Sequence, residues 1–235
     1  MNVLIVYAHE EPRSFNAALK NHAVSVLTDA GHSVEVSDLY AMDFDPVGGK
    51  RDFTELSNSE FFKYGKEQAN ASKNSTFAAE VVAEQEKLLA CDLLIFQFPL
   101  WWFGLPAILK GWIDRVFAAG LIYDHERLYS NGVFRGKRAM VSATTSGSPT
   151  SYSETGLSGD MKQILFPIHH GILFYVGFEV LPPYIAWSVS RVDQECRQKY
   201  LDEYEGRLLS WRRTQPIRYP SLEDYDESFQ LKTAR

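Results

Sequence analysis

The stretch DLLIFQFPLWWFGLPAILKGWIDRVF, residues 92–117, constrains the fold more than any other part of the chain. Leu93, Leu94, Ile95 and Phe96 form a short run without a polar residue, which predicts a strand buried on both faces of a parallel sheet. Pro99, Gly104 and Pro106 then break the pattern, so a tight loop leaves the carboxyl end of that strand carrying Trp101, Trp102 and Phe103. Each aromatic can bury on the order of 150–250 Å², so three in a row are costly to leave in water. Pro106 suits the first turn of a helix, and Ile108, Leu109, Trp112, Ile113 and Val116 recur at helical spacing. Open α/β sheets place ligands beyond the carboxyl ends of their strands. Spacing alone leaves two uses for the rings: a flat, ring-shaped ligand, or the packing of a core or subunit contact.

The rest of the chain repeats the alternation of strand and helix. Residues 3–8 read as a buried strand, 9–14 as a turn, 14–27 as a helix with Phe15, Leu19, Ala23 and Leu27 on one face, and 33–39 as a second strand. Residues 40–78 are polar and irregular, with a short helix expected at 60–67, and are too long for a simple connection; they are expected to fold over the sheet as a flap or partner contact. A helix is expected at 79–90, a fourth strand at 138–143, a loop at 144–159, a helix at 160–176, a fifth strand at 179–185 and a charged helix at 191–211. Five strands alternating with helices predict a three-layer, doubly wound α/β fold with a parallel five-stranded sheet in the order 2-1-3-4-5. The expected division is a domain over residues 1–211 and a C-terminal extended arm over 212–235, where Pro216, Pro220 and scattered aromatics follow the last helix.

Composition narrows the class. With 45% hydrophobic and 14% aromatic residues in 235, the chain can fill a core, which excludes global disorder. A net charge of −6 without a basic run argues against nucleic-acid binding. Two cysteines without a CxxC pair point to a reducing compartment. No apolar run approaches the ~20 residues of a membrane span, and the opening residues lack a basic region and a signal-type apolar stretch. The expectation is a soluble, cytoplasmic protein.

Candidate chemistry gathers at strand ends. No GxGxxG follows the first strand and no GxxxxGK[ST] occurs, so neither a dinucleotide-binding nor a P-loop motif is available. Ser14 and Asn16 instead open a helix whose free amides and dipole attract phosphate, although Ser14 also reads as a plain N-cap. His9 at a strand end suits phosphate or backbone. Thr144, Thr145, Ser146 and Gly147 begin a hydroxyl- and glycine-rich loop that runs on to Tyr152 and Gly156-Leu157-Ser158-Gly159, and long loops at that edge carry function. His169 and His170 are adjacent, so on a helix they diverge by about 100° and cannot share a metal.

These motifs together resemble the flavodoxin-like NAD(P)H:quinone oxidoreductases of the DT-diaphorase type. The likeness runs from residue 3 to about 209 and rests on AH-x5-FN at 8–16, SDLYAM-F-P at 37–46, FQFPLxWFGxPAILKGW at 96–112, TT-x-G with Tyr152 and GD, and GIL-GF at 171–178. The resemblance implies tightly bound FAD and a hydride donor, NADH or NADPH, that reduces it before a quinone takes the hydride in a ping-pong cycle. It implies that His9, Phe15 and Asn16, beside Ser14, hold the diphosphate. Pro99, Leu100, Trp101, Trp102 and Phe103, with Thr144, Thr145, Ser146 and Gly147, would line the ring, and Arg197 and Leu201 would reach the adenosine. Tyr152 would hydrogen-bond the ring where charge develops. Trp102, Phe103, Tyr123, His125 and Tyr175 would shape the substrate pocket of a homodimer whose sites lie at the subunit interface.

Several positions depart from the family pattern. Ser158 stands where its best-known member has histidine, and a serine donates a hydrogen bond without holding a proton as imidazolium does. His125 replaces a tyrosine, Tyr175 a phenylalanine and Trp101 a glutamine. Of the metal ligands in one branch only His170 remains, with Phe174 and Tyr219 at the other two positions, so the resemblance implies no metal. Two other readings share the fold: a flavin-binding regulatory subunit of a potassium-efflux system, and an FMN-dependent azo- or nitro-reductase, against which Arg197 argues because FMN has no adenosine.

Overall fold

A computed structural model describes residues 1–232; the last three residues of the expected arm, 233–235, lie outside the described residues. The sheet has β1 (Asn2–Tyr7), β2 (Ser33–Asp38), β3 (Leu93–Pro99), β4 (Arg138–Thr144), β5 (Glu179–Val180) and β6 (Tyr184–Ala186). All pairs are parallel and the order is β2-β1-β3-β4-β5, as expected, with β6 also on β4. Every residue of β3 is buried, which is why its sequence shows no alternation.

The two sheet faces are separate cores. Val3, Ile5, Leu93, Ile95 and Met140 face α1 (Phe15–Asp29) and α6 (Gln194–Ser210) through Leu19, Ala23, Leu27, Tyr204 and Leu208. Leu4, Val6, Leu94, Phe96 and Val141 face α3 (Ala79–Ala90), α4 (Ala107–Val116) and α5 (Met161–Ile168) through Leu88, Leu109, Trp112 and Leu165. Helices on both faces make the three layers.

Five expectations are corrected. The short helix is α2 (Tyr64–Asn74), later and longer than 60–67. Residues 40–78 do not cover the sheet; they pack on the helix layer. Phe53, Ala71 and Phe77 join Val81 of α3 and Ala118, and a Cβ at Gly111 of α4 would lie 2.1 Å from the Pro46 carbonyl oxygen, so only glycine admits that approach. The lock is Arg115, fully buried, whose Nε donates to Asp52 Oδ1 at 2.9 Å and Nη1 to the Asp45 carbonyl at 2.7 Å, with Glu80 as a further partner.

The expected fifth strand is two short pieces, because Leu181-Pro182-Pro183 lies between them and proline has no N–H for the ladder. The helix expected over 160–176 is α-helical only through Ile168. Beyond Pro167, which cannot donate and crowds the preceding turn, His169–Phe174 takes the wider π form. The late helix starts at Gln194 rather than 191, capped by Asp193. After it, the chain runs without regular structure to a 3-10 turn at Leu222–Asp224. It touches the domain where Ile217 N–H donates to the Val180 carbonyl at 2.7 Å and Leu222 N–H to Ser130 Oγ at 3.0 Å.

Candidate active site

A cleft of about 590 Å³ lies beyond the carboxyl ends of β1, β3 and β4. Of the residues singled out from sequence, His9, Ser14, Phe15, Asn16, Pro99, Leu100, Trp101, Thr144, Thr145, Ser146, Arg197 and Leu201 line it. Arg13, Ala18, Val189, Ser190 and Gln194 line it as well and were missed. Arg13 and Gln194 flank recognised positions, whereas Val189 and Ser190 sit in a loop with no motif.

The first turn of α1 forms one pole. Ser14 is the N-cap, its Oγ accepting from Ala17 N–H at 3.1 Å, which leaves the amides of Phe15 and Asn16 without an intrahelical partner. No acidic residue occupies that first turn. His9 Nδ1 accepts from Glu11 N–H at 3.0 Å, and burial pushes the ring's pKa down, so the neutral ring carries its proton on Nε2 as a donor. Asn16 behaves differently from its neighbours: its side chain points to the core, receiving from Gln97 Nε2 at 2.9 Å and donating to Thr144 Oγ1 at 2.8 Å. On the α6 side Arg197 donates through Nη2 to the Val189 carbonyl at 3.1 Å, while its buried Nε has no partner among the described residues.

The aromatic loop is a tight turn. Trp101 N–H and Gly104 N–H each donate to the other residue's carbonyl, at 3.2 and 2.9 Å, and the two residues between them have left-handed backbones, with φ 50° at Trp102 and 60° at Phe103. Such turns favour Asn-Gly; a bulky residue at positive φ is strained by about 1–2 kcal/mol. Trp102 is also 98% exposed and Phe103 52%. Strain and exposure held together on large rings mark a surface built for contact.

The loop after β4 supplies the facing wall. Tyr152 lies 6.2 Å from Phe103 and 5.8 Å from Trp187, ring centre to ring centre. A Cβ at Gly147 would meet the Tyr152 ring at 2.7 Å, so the glycine lets the ring lie against the backbone. Ser158 shares a hydrogen bond of 2.8 Å with Ser151. Tyr123 and Tyr175 are elsewhere, packed at 5.7 Å against each other in a separate hollow of about 480 Å³ with Tyr64, Gln68 and Ile172. His125 is exposed nearby. His170, Phe174 and Tyr219 do converge, with ring centres 4.9 to 5.5 Å apart, as a mostly aromatic cluster.

The donors fit an anionic, nucleotide-like group: free helix amides, the His9 and Thr144 side chains and Arg197, with Arg13 at the rim paired to Glu11 at 2.9 Å and a Gly147–Tyr152 wall for a flat ring. Fold and cleft thus define a flavodoxin-like protein. Residues 1–208 match the model of the family described as having a flavodoxin-like fold. The chain is 46% identical over 216 residues to a ribosyldihydronicotinamide dehydrogenase [quinone] of Pongo abelii, covering 92% of this chain and 94% of that one. It is 44% identical over 228 residues to NAD(P)H dehydrogenase [quinone] 1 of Rattus norvegicus, covering 97% and 83%. Its structure superposes with TM-score 0.93 on a putative quinone reductase from Klebsiella pneumoniae at 44% identity, covering 99% and 94%. The chain belongs to the flavodoxin-like family and, within it, to the NAD(P)H:quinone oxidoreductases.

Proposed function

We propose that the protein is an FAD-dependent NAD(P)H:quinone oxidoreductase acting as a homodimer, with residues 1–211 as the catalytic unit and the chain from 212 as an arm. The observation that carries FAD is that the cleft opened by the α1 amides is lined also by Arg197 and Leu201 of α6. A cofactor ending at one phosphate has no use for that α6 wall. When bound, a flavin would supply the redox chemistry, hydride transfer between a dihydronicotinamide and a quinone.

The chain's own residues bind, orient and exclude water. The Phe15 and Asn16 amides, His9 Nε2–H and Arg13 hold the diphosphate at the positive end of α1. Pro99 to Trp101 and Thr144 to Gly147 line the ring, and Tyr152 offers a phenolic donor where charge gathers on reduction. Trp102 and Phe103 cover the ring and the quinone on its open face. Ser158 donates a hydrogen bond there and holds no proton, so the proton accompanying hydride comes from His125 or water.

A separation within the chain supports the homodimer. Tyr123 and Tyr175 lie in a hollow distinct from the cleft of the same chain. Acting on a quinone held at Trp102 and Phe103, they and His125 come from a second copy. No helix among the described residues is long and apolar enough to cross a membrane, and the small-molecule chemistry needs none.

Steady-state kinetics with NADH or NADPH against a simple benzoquinone test the reading. Parallel double-reciprocal lines and a dimer by sedimentation are expected. Flavin-loaded protein that leaves the quinone oxidised would contradict it and favour the regulatory-subunit reading.

A further inference from the structure

Beneath the cleft lies a row of buried polar groups that a protein core does not need. Gln97, Ser142 and Tyr204 are 0% exposed on the α1–α6 face of the sheet, and Gln97 Oε1, Ser142 Oγ and the Tyr204 hydroxyl have no hydrogen-bond partner among the described residues. Gln97 of β3 and Ser142 of β4 are register partners, so their side chains stand side by side. Leaving such groups unpaired costs about 1–3 kcal/mol each, a cost that a function can offset.

The hydrogen bonds beyond them run in one direction. Gln97 Nε2 donates to Asn16 Oδ1, and Asn16 Nδ2 donates to Thr144 Oγ1. Thr144 lines the cleft, and its own hydroxyl hydrogen goes to no protein atom among the described residues. The opposite amide orientation would spend the Thr144 hydrogen on Asn16 and turn the Gln97 NH₂ toward the hydroxyls. Ser142 and Tyr204 would then bring two O–H donors to a place with no carbonyl to receive them. In the orientation observed, bridging water gives each an outlet, Tyr204 toward Ser142 and Ser142 toward Gln97 Oε1, since neither pair bonds directly. Burial also pushes the Tyr204 phenol's pKa up, so it stays a donor.

We propose that Gln97 and Asn16 are positioning residues, backed by Ser142 and Tyr204, that commit the Thr144 hydroxyl as a hydrogen-bond donor to an acceptor atom of the bound flavin. Each bond in such a chain polarises the next, so the last donor is stronger than an isolated hydroxyl. The proposal rests on the cleft being a flavin site. A donor aimed at an acceptor that gains electron density favours the reduced form.

A double-mutant cycle on the flavin-loaded protein tests it, using Thr144→Val and Gln97→Met. The readouts are the flavin dissociation constant, the flavin midpoint potential and the melting temperature. Each single variant is expected to weaken flavin binding by up to about tenfold and to move the potential negative. Without the Gln97 amide nothing fixes the Asn16 amide, and the Thr144 hydrogen turns inward. The double variant should match Thr144→Val alone in both flavin readouts, because the chain acts through that one hydroxyl. Effects that simply multiply, or a Gln97→Met protein with wild-type affinity and potential, would overturn the proposal. If Gln97→Met does not fold, Ser142→Ala gives the same test from the inner end: a smaller loss is expected, absent when position 144 is already valine, and an undiminished loss there overturns the proposal. Wild-type protein that takes up no flavin would instead overturn the cofactor reading, with the two failures thereby distinguished.

Discussion

At the floor of the cleft Asn16, Gln97 and Thr144 are 3%, 0% and 4% exposed and hydrogen-bonded to one another; on its rim Trp102 is 98% exposed and, with Phe103, bent into a left-handed turn. The floor is ordered within one chain, its amides tied to one another and the Thr144 hydroxyl hydrogen left for a ligand. The rim is not, since two large rings stand in water at a conformational cost that only a ligand or second subunit makes useful. The contrast separates two tasks: strand ends and buried amides set geometry, and the exposed turn waits for what it covers.

The largest effect is expected in the buried interior, away from the cleft. Arg115→Met leaves Asp52 buried without its cation and should destabilise the chain by about 3–5 kcal/mol; urea unfolding measures it, and a loss below 1 kcal/mol would remove Arg115 as the anchor of residues 40–78. Next is a pH effect. Burial holds the His169 pKa down at about 4 against the ordinary 6.5. Between those values the unfolded chain binds the extra proton, so the folded state is fully favoured above pH 6.5 and loses about 3 kcal/mol as pH falls through the window. His169→Leu should flatten that part of the stability–pH curve; an unchanged slope assigns the loss to other groups.

On the rim the sign reverses. Replacing Trp102-Phe103 by Asn-Gly relieves two left-handed bulky residues and should raise stability by about 1–2 kcal/mol while quinone reduction collapses. Thermal melting and turnover read the two halves, and a variant that is both less stable and fully active would break the contrast. Smallest is Tyr152→Phe, expected to slow hydride transfer about tenfold with flavin occupancy intact. Wild-type stopped-flow rates would sink that role. Ser158→His should shift the pH dependence of flavin reduction, and unchanged rates across neutral pH would take Ser158 out of the proton path.

What was legible in the sequence follows the same division. Buried parallel strands declare themselves as unbroken apolar runs, so β1, β3 and β4 and the edge carrying His9, Pro99 and Thr144 could be read directly, and α3 falls at its expected bounds, Ala79–Ala90. Features made by contact between distant segments could not. The helix at Tyr64–Asn74 is held by pairings such as Gln68 with Asp114 and Ala119, invisible locally. Trp187 reaches Tyr152 from an unmarked loop. The inward turn of Asn16 depends on Gln97, far along the chain. Pro182-Pro183 was a local signal that the expectation of one strand over 179–185 passed over, its two missing donors splitting the ladder.

The most direct measurement is the identity and amount of the cofactor released by acid from the purified protein. FAD at about one per chain is the predicted result, with the adenosine end accounting for Arg197 and Leu201. FMN would contradict the reading of Arg197 and Leu201 and move the protein toward the azo-reductases. No flavin after reconstitution would leave the strained aromatic turn to a protein partner and contradict the enzyme.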